Sequence, residues 1–243
     1  MFKLDPIVIV GVGSSGTSIF TKVLQDSGVF IGGRDILSHR HMESRFWVYE
    51  INVHILKGDW GYFPPQEIDH LMNKVKYINE KEFDIVKAAY NNYVSAGYTG
   101  EGLWGFKDPR TCITIHCMHY LFPKMKVIHI IRDGRDVALS LQKAHGKTYD
   151  HWMNVWEAHA RRVTEFCNEK LNKDSFIEVR FENLCRDVKS AKPIFNFLGI
   201  EGVGEEYLKN AFDEDKIGKH KKLLVDTINK MNKNSLLKEL GYV

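Results

Sequence analysis

Four β-branched residues in a row, Ile7-Val8-Ile9-Val10, run straight into a turn rich in glycine and hydroxyls, Gly11-Val12-Gly13-Ser14-Ser15-Gly16-Thr17-Ser18. A continuous apolar run of that length reads as a strand buried on both faces. The residues after the turn place Ile19, Phe20, Val23 and Leu24 at helical spacing, and Gly28 follows as a stop. A strand, a glycine turn and a helix open an α/β unit. Successive backbone N–H groups in such a turn form a nest for an anion, and the helix N-terminus adds donors and the positive end of its dipole. A tight turn with a Ser/Thr helix cap is the purely structural alternative.

The turn nearly matches the nucleotide-binding signature G-x-x-x-x-G-K-[ST]. Thr17 stands where that signature has its lysine. The lysine meets the β- and γ-phosphates of a triphosphate. The loop is therefore built for a phosphate rather than for ATP.

Further along, strands alternate with helices. The sequence predicts short strands at 103–106, 126–131 and 175–179, and helices at 112–120, from Asp136 onward, at 149–171 and at 194–198. This alternation predicts an α/β fold, a P-loop-like parallel sheet flanked by helices. The chain of 243 residues is read as one domain, 1–243, with 35–103 a mainly helical region forming an acceptor pocket. No apolar run approaches the roughly 20 residues of a membrane helix, and the N-terminus lacks the apolar core of a signal peptide. The net charge of +3 is too small to point to nucleic acid. Cys112, Cys117, Cys167 and Cys185 contain no Cys-x-x-Cys pair, which is read as reduced thiols in a cytoplasmic protein. Cys112, His116 and His119 share a helix face, but three side chains on one helix rarely converge on an ion, so no metal is expected.

A second motif runs from a strand into a helix. Arg132 ends the 126–131 strand, and Ser140 follows after seven intervening residues. A guanidinium and a hydroxyl converging there would clamp a second phosphate. The alternative is a local ion-pair cluster of Arg132, Asp133, Arg135 and Asp136.

Together these motifs resemble the sulfotransferases that use 3′-phosphoadenylyl sulfate (PAPS). In that family a [KR]-S-G-T-[TS] loop after the first strand binds the 5′-phosphosulfate; here it is Ser14-Ser15-Gly16-Thr17-Ser18. The R-D-x-R-D-V-x-x-S pattern that binds the 3′-phosphate is matched by Arg132 through Ser140. Lys107-Asp108-Pro109 resembles the family's K-[DT]-P segment, and Arg180-Phe181-Glu182-Asn183-Leu184 its R-Y-E-D-L segment. Gly218-Lys219-His220 and Leu240-Gly241-Tyr242 resemble its basic C-terminal loop and its L-G-Y close.

The resemblance implies sulfuryl transfer from PAPS to an acceptor hydroxyl on a sugar, phenol or tyrosine, leaving 3′,5′-ADP (PAP), with no metal. It implies that Gly13, Ser14, Ser15, Gly16, Thr17 and Ser18 hold the phosphosulfate. Arg132 and Ser140 then hold the 3′-phosphate, Phe181 meets the adenine, and Lys219, His220 or Lys221 closes over the nucleotide. The partners implied are a small-molecule or glycan acceptor, with neither nucleic acid nor stable membrane insertion.

Ser14 departs from the pattern, because the family places Lys or Arg there, at the leaving oxygen. A serine offers one neutral hydrogen bond where a cation gives one about twice as strong. Lys107 is the candidate to supply that charge from the neighbouring strand end, the alternative being that Ser14 and backbone donors suffice at a lower rate. For the general base, Glu43 lies just before Phe46-Trp47, where an apolar wall raises a carboxyl pKa. His41 is the next candidate, with an imidazole already near neutral. Two other readings remain. One is a P-loop-type small-molecule or nucleotide kinase, against which Thr17 argues. The other is a catalytically silent nucleotide-binding module, which Ser14 motivates.

Overall fold

The computed structural model describes residues 5–32 and 97–243, with Asn52, Ile55, Leu56, Asp84, Ala88 and Asn91 between them. The candidate bases His41 and Glu43, and nearly all of the 35–103 region, lie outside the described residues.

Four strands form one parallel sheet: β1 (Ile7–Val10), β2 (Gly105–Lys107), β3 (Lys126–Ile131) and β4 (Phe176–Arg180), in the order β2-β1-β3-β4. Register is tight, with Ile9 opposite both Lys107 and Ile128, and Ile131 opposite Arg180. Alternation across the pleat explains the unbroken apolar run of β1. Val8 and Val10 enter one core with Phe106 and Val127, while Ile7 and Ile9 enter the opposite one with Ile128 and Ile130.

The first core is covered by α2 (Thr111–Leu121) and α4 (Tyr149–Lys170). The second is covered by α1 (Thr17–Asp26), α5 (Phe181–Arg186), α6 (Lys192–Leu198) and α7 (Glu205–Ala211). A third cluster joins α3 (Gly134–His145) and α4 to the C-terminal helices α8 (Val225–Met231) and α9 (Ser235–Glu239).

The predicted stop of α1 is realised as a left-handed turn. Gly28 has φ +91, its N–H donates to Gln25 O at 3.1 Å, and Val29 N–H donates to Leu24 O at 3.1 Å. The strand expected at 103–106 sits slightly later, at Gly105–Lys107, and ahead of it Trp104 forms an isolated parallel bridge with Phe30. Among the described residues no helix is long and apolar enough to cross a membrane.

The chain leaves β1 for β2 on one side and then crosses to β3 on the other. The strand order therefore reverses between β1 and β3, and the loops after the strands open a crevice there.

Candidate functional site

The turn after β1 owes its shape to three close approaches. A side chain on Gly11 would lie 2.5 Å from the Ile130 carbonyl oxygen, so the loop presses against β3. Ser15 N–H donates to Val12 O at 3.0 Å and closes the turn. Gly16 has φ +92, and a Cβ there would stand 2.3 Å from the Phe181 ring. Ser14 also adopts a left-handed conformation, with φ 70, which costs a residue bearing a Cβ about 1–2 kcal/mol. Gly16 caps α1 through its backbone alone, with no side-chain cap. The N-cap position itself carries no side chain, and the helix N-terminus borders the crevice through Gly16, Thr17 and Ser18.

The second turn is braced from below. Trp156 of α4 donates its indole N–H to Arg132 O at 3.1 Å, and its ring lies where a Cβ on Gly134 would come within 2.5 Å. Arg132 reaches across the crevice and donates to Ser14 O at 2.9 Å and to Lys216 O. Its guanidinium carbon lies 5.2 Å from the Phe181 ring centroid, and its Nε is buried with no hydrogen-bond partner among the described residues. Ser140 Oγ donates to Ser14 Oγ at 2.9 Å.

These residues line one cavity of about 520 Å³. Of the residues predicted from sequence, it brings together Gly13, Ser14, Gly16, Thr17, Ser18, Lys107, Arg132, Ser140, Phe181 and Lys219. Lys107, at the end of β2, is 2% exposed and borders it. Three predicted residues lie elsewhere. Ser15 is buried in the turn. Lys221 is exposed and does not line the cavity. His220 is buried and turned onto Asp136. Phe181 borders the cavity, but its ring is packed under Gly16 and edge-on to Phe212, with centroids 6.1 Å apart.

The ion-pair alternative is realised in the second motif: Arg132 Nη2 lies 3.5 Å from Asp136 Oδ2, and Arg135 Nη2 lies 2.6 Å from Asp133 Oδ2. Asp136 accepts hydrogen bonds from Gly218 N–H at 2.7 Å, His220 N–H at 2.9 Å and His220 Nδ1–H at 2.8 Å. Burial pushes its carboxyl up, but the hydrogen bonds from His220 together with the charges of Arg132 and His220 outweigh this and hold it below the usual carboxylate range. Asp136 is thus the latch of the basic C-terminal loop.

Arg135 forms a bidentate pair with Asp133, at 2.9 and 2.6 Å, and donates to Tyr242 O at 3.0 Å. Tyr242 in turn donates its hydroxyl to Glu182 Oε2 at 2.9 Å, and Glu182 Oε1 accepts Asp133 N–H at 2.8 Å. The L-G-Y close is therefore tied to the second motif and to the start of α5. Arg132, though paired with Asp136, lines the crevice, and Arg135 does not.

The charge balance suits an anion. Among the described residues, Lys107, Arg132, Lys143, Lys216 and Lys219 line the cavity against one carboxylate, that of Asp136, which already accepts from Gly218 and His220 and pairs with Arg132. Lys143 and His145 were not singled out in the sequence, although Lys143 lies three residues beyond Ser140, on the same helix face.

The family model described as "Sulfotransferase family" matches residues 6–204. Among solved structures, the chain is similar to the sulfotransferase domain of the Synechococcus PCC 7002 olefin synthase. That likeness has a TM-score of 0.59 at 17% identity, covering 94% of this chain and 93% of that one. It is also similar to sulfotransferase STF1 from Mycobacterium tuberculosis H37Rv, with a TM-score of 0.58 at 13% identity over 93% of this chain and 76% of that one. A sulfotransferase from Alicyclobacillus acidocaldarius gives a TM-score of 0.52 at 15% identity over 95% and 90%. No curated protein matches the chain in sequence. The match over residues 6–204 takes in the phosphate loop, the arginine–serine turn and the Phe181 segment, and this chain belongs to the sulfotransferase family.

Proposed function

We propose that the protein transfers a sulfuryl group from PAPS to an acceptor hydroxyl. The observation that carries this reading is the Ser14–Ser140 hydrogen bond, which joins the two phosphate motifs inside one cation-lined cavity. The described residues fit such a nucleotide. A volume of about 520 Å³ lies in the range of small-molecule sites, and Arg132 Nε is a buried donor in need of an acceptor.

PAPS brings an activated sulfuryl group attached to a 5′-phosphate leaving group. The chain's part is positioning and electrostatics. The uncapped start of α1 and the hydroxyls of Thr17 and Ser18 cradle the 5′-phosphate end. Arg132, Ser140 and Lys219 hold the 3′-phosphate. Lys107 carries the positive charge to the leaving oxygen that Ser14 cannot supply. Ser14 instead keeps its own backbone carbonyl on Arg132 and its hydroxyl on Ser140. Glu43, or His41 after it, takes the acceptor proton, from a region that forms the pocket for a small-molecule or glycan hydroxyl. Asp136 and His220 act indirectly, by fixing the loop that presents Lys219.

The test is sulfuryl transfer from sulfur-labelled PAPS to a panel of phenols, sugars and tyrosine peptides, with Arg132→Ala as the control. Transfer by the wild type that disappears in Arg132→Ala supports the enzyme and eliminates the silent module. Nucleotide binding with no transfer to any member, and no PAP release, favours the silent module.

A further inference from the structure

Helix α3 turns a complete face toward the cavity. Asp136, Leu139, Ser140, Lys143 and Ala144 all border it, at the spacing of one helical stripe. Asp136, at the start of the stripe, is spent on the C-terminal loop, and Ser140 in the middle is bonded to Ser14. Lys143 is exposed, and among the described residues no carboxylate pairs with it. Side chains on a helix lean toward its N-terminus, so an ammonium at this position is carried back over the turn that holds Ser140. Residues three apart on a helix are neighbours.

The other basic side chains are placed differently. His220 is turned onto Asp136, Lys221 stands outside the cavity, and Lys216 donates its ammonium to Ala211 O at 2.7 Å. The C-terminal loop therefore contributes Lys219 alone, of the three residues 219–221, to the lining.

From this we infer that Lys143 is a nucleotide-binding residue that clamps the 3′-phosphate from the α3 wall, together with Arg132, Ser140 and Lys219. The inference rests on the PAPS reading above and assigns a cation that neither phosphate motif contains. The clamp is then built on two elements: one wall is α3, the other the C-terminal loop latched to its first turn. The helical dipole gives Lys143 a second, purely structural use near the end of α3, which would not depend on any ligand.

The experiment is calorimetric titration of the full chain with 3′,5′-ADP and with 5′-AMP, for wild type, Lys143→Ala, Lys143→Arg and Lys143→Glu. Lys143→Ala is expected to weaken 3′,5′-ADP by roughly tenfold, the loss of one charge-assisted contact, and to leave 5′-AMP within about twofold. Lys143→Arg restores most of the affinity, and Lys143→Glu loses more than the alanine variant. A salt titration gives a shallower dependence in Lys143→Ala than in wild type. An equal loss for both nucleotides, or no loss for either, overturns the assignment. If the wild type itself makes no distinction between 3′,5′-ADP and 5′-AMP, it is the PAPS reading that fails.

Discussion

Ser140 donates its hydroxyl to Ser14 at 2.9 Å, across 126 residues of chain. The bond brings the helix after β3 against the loop after β1, at the point where the strand order reverses. Ser140→Ala removes it, and with it the one O–H that turns to the 3′-phosphate when the nucleotide binds, Ser14 then donating to Ser140 Oγ. A net hydrogen bond is worth about 1 kcal/mol, so affinity for 3′,5′-ADP is expected to fall by roughly fivefold with little change in melting temperature. Arg132→Ala removes the donors to Ser14 O and Lys216 O as well, and is expected to cost at least roughly tenfold more. Calorimetry and a thermal melt on the two variants check the order; equal losses would contradict it.

Lys107 is expected to act on the rate more than on binding. Lys107→Met should lower sulfuryl transfer by roughly a hundredfold, the usual effect of removing one donor from a developing charge, while 3′,5′-ADP affinity falls much less. Ser14→Lys restores a cation to the loop and is expected to raise turnover, most visibly in the Lys107→Met background. Single-turnover rates on the four combinations measure this. A Ser14→Lys variant that fails to rescue Lys107→Met would mean that the two positions do not serve the same oxygen.

Gly16 tolerates no side chain. A Cβ would meet the Phe181 ring at 2.3 Å, and φ +92 disfavours any L residue. The backbone strain alone amounts to about 1–3 kcal/mol, before the clash with a ring that is 1% exposed. Gly16→Ala is expected to lower the melting temperature and to abolish nucleotide binding. Gly16→Ala with Phe181→Leu should recover stability ahead of binding, as read by thermal melts and titration.

The Asp136 latch sets an acid limit. Its carboxyl is held below the ordinary value of about 3.9, so the stability it contributes is present above that pH and is lost as pH falls through the lower folded value. Asp136→Asn is expected to cost about 1–3 kcal/mol near neutrality by disturbing the bonds from Gly218 and His220, and to release Lys219 from the cavity. The gap in melting temperature between wild type and Asp136→Asn should persist from pH 8 down to about pH 5 and close only once the pH has fallen below the ordinary carboxylate value. A gap independent of pH would argue that Asp136 does not act as a carboxylate.

Much of this architecture was legible because strong local signals coincide with it. The run Ile7–Val10 is apolar on both faces of the pleat, and the structure buries both faces. Helix α4 showed its face through Trp152, Val155, Trp156 and Val163, all of them buried. The helices from 205 onward were not read, because α7, α8 and α9 are only five to seven residues long and are held by tertiary contacts rather than by periodicity.

At the site, motif residues placed by the backbone were readable, whereas side-chain direction was not. Within the basic run 219–222 a single turn of 3₁₀ helix sends His220 inward to Asp136 and leaves Lys219 on the lining. No sequence pattern distinguishes those neighbours. The spacing to Ser140 marked Arg132 rather than Arg135 in the sequence, but it did not show that both are ion-paired, Arg132 with Asp136 and Arg135 with Asp133. Lys143 had a signal in its spacing from Ser140, but it lies outside the phosphate motif.

The most direct measurement is calorimetric titration of the wild-type chain with 3′,5′-ADP, 5′-AMP and ATP. The cavity predicts tight binding of 3′,5′-ADP that depends on the 3′-phosphate, with 5′-AMP and ATP weaker by at least roughly tenfold. Equal affinity for 3′,5′-ADP and 5′-AMP, or a preference for ATP, would contradict the clamp of Arg132 and Ser140 and leave the loop at Gly11 as a general phosphate nest.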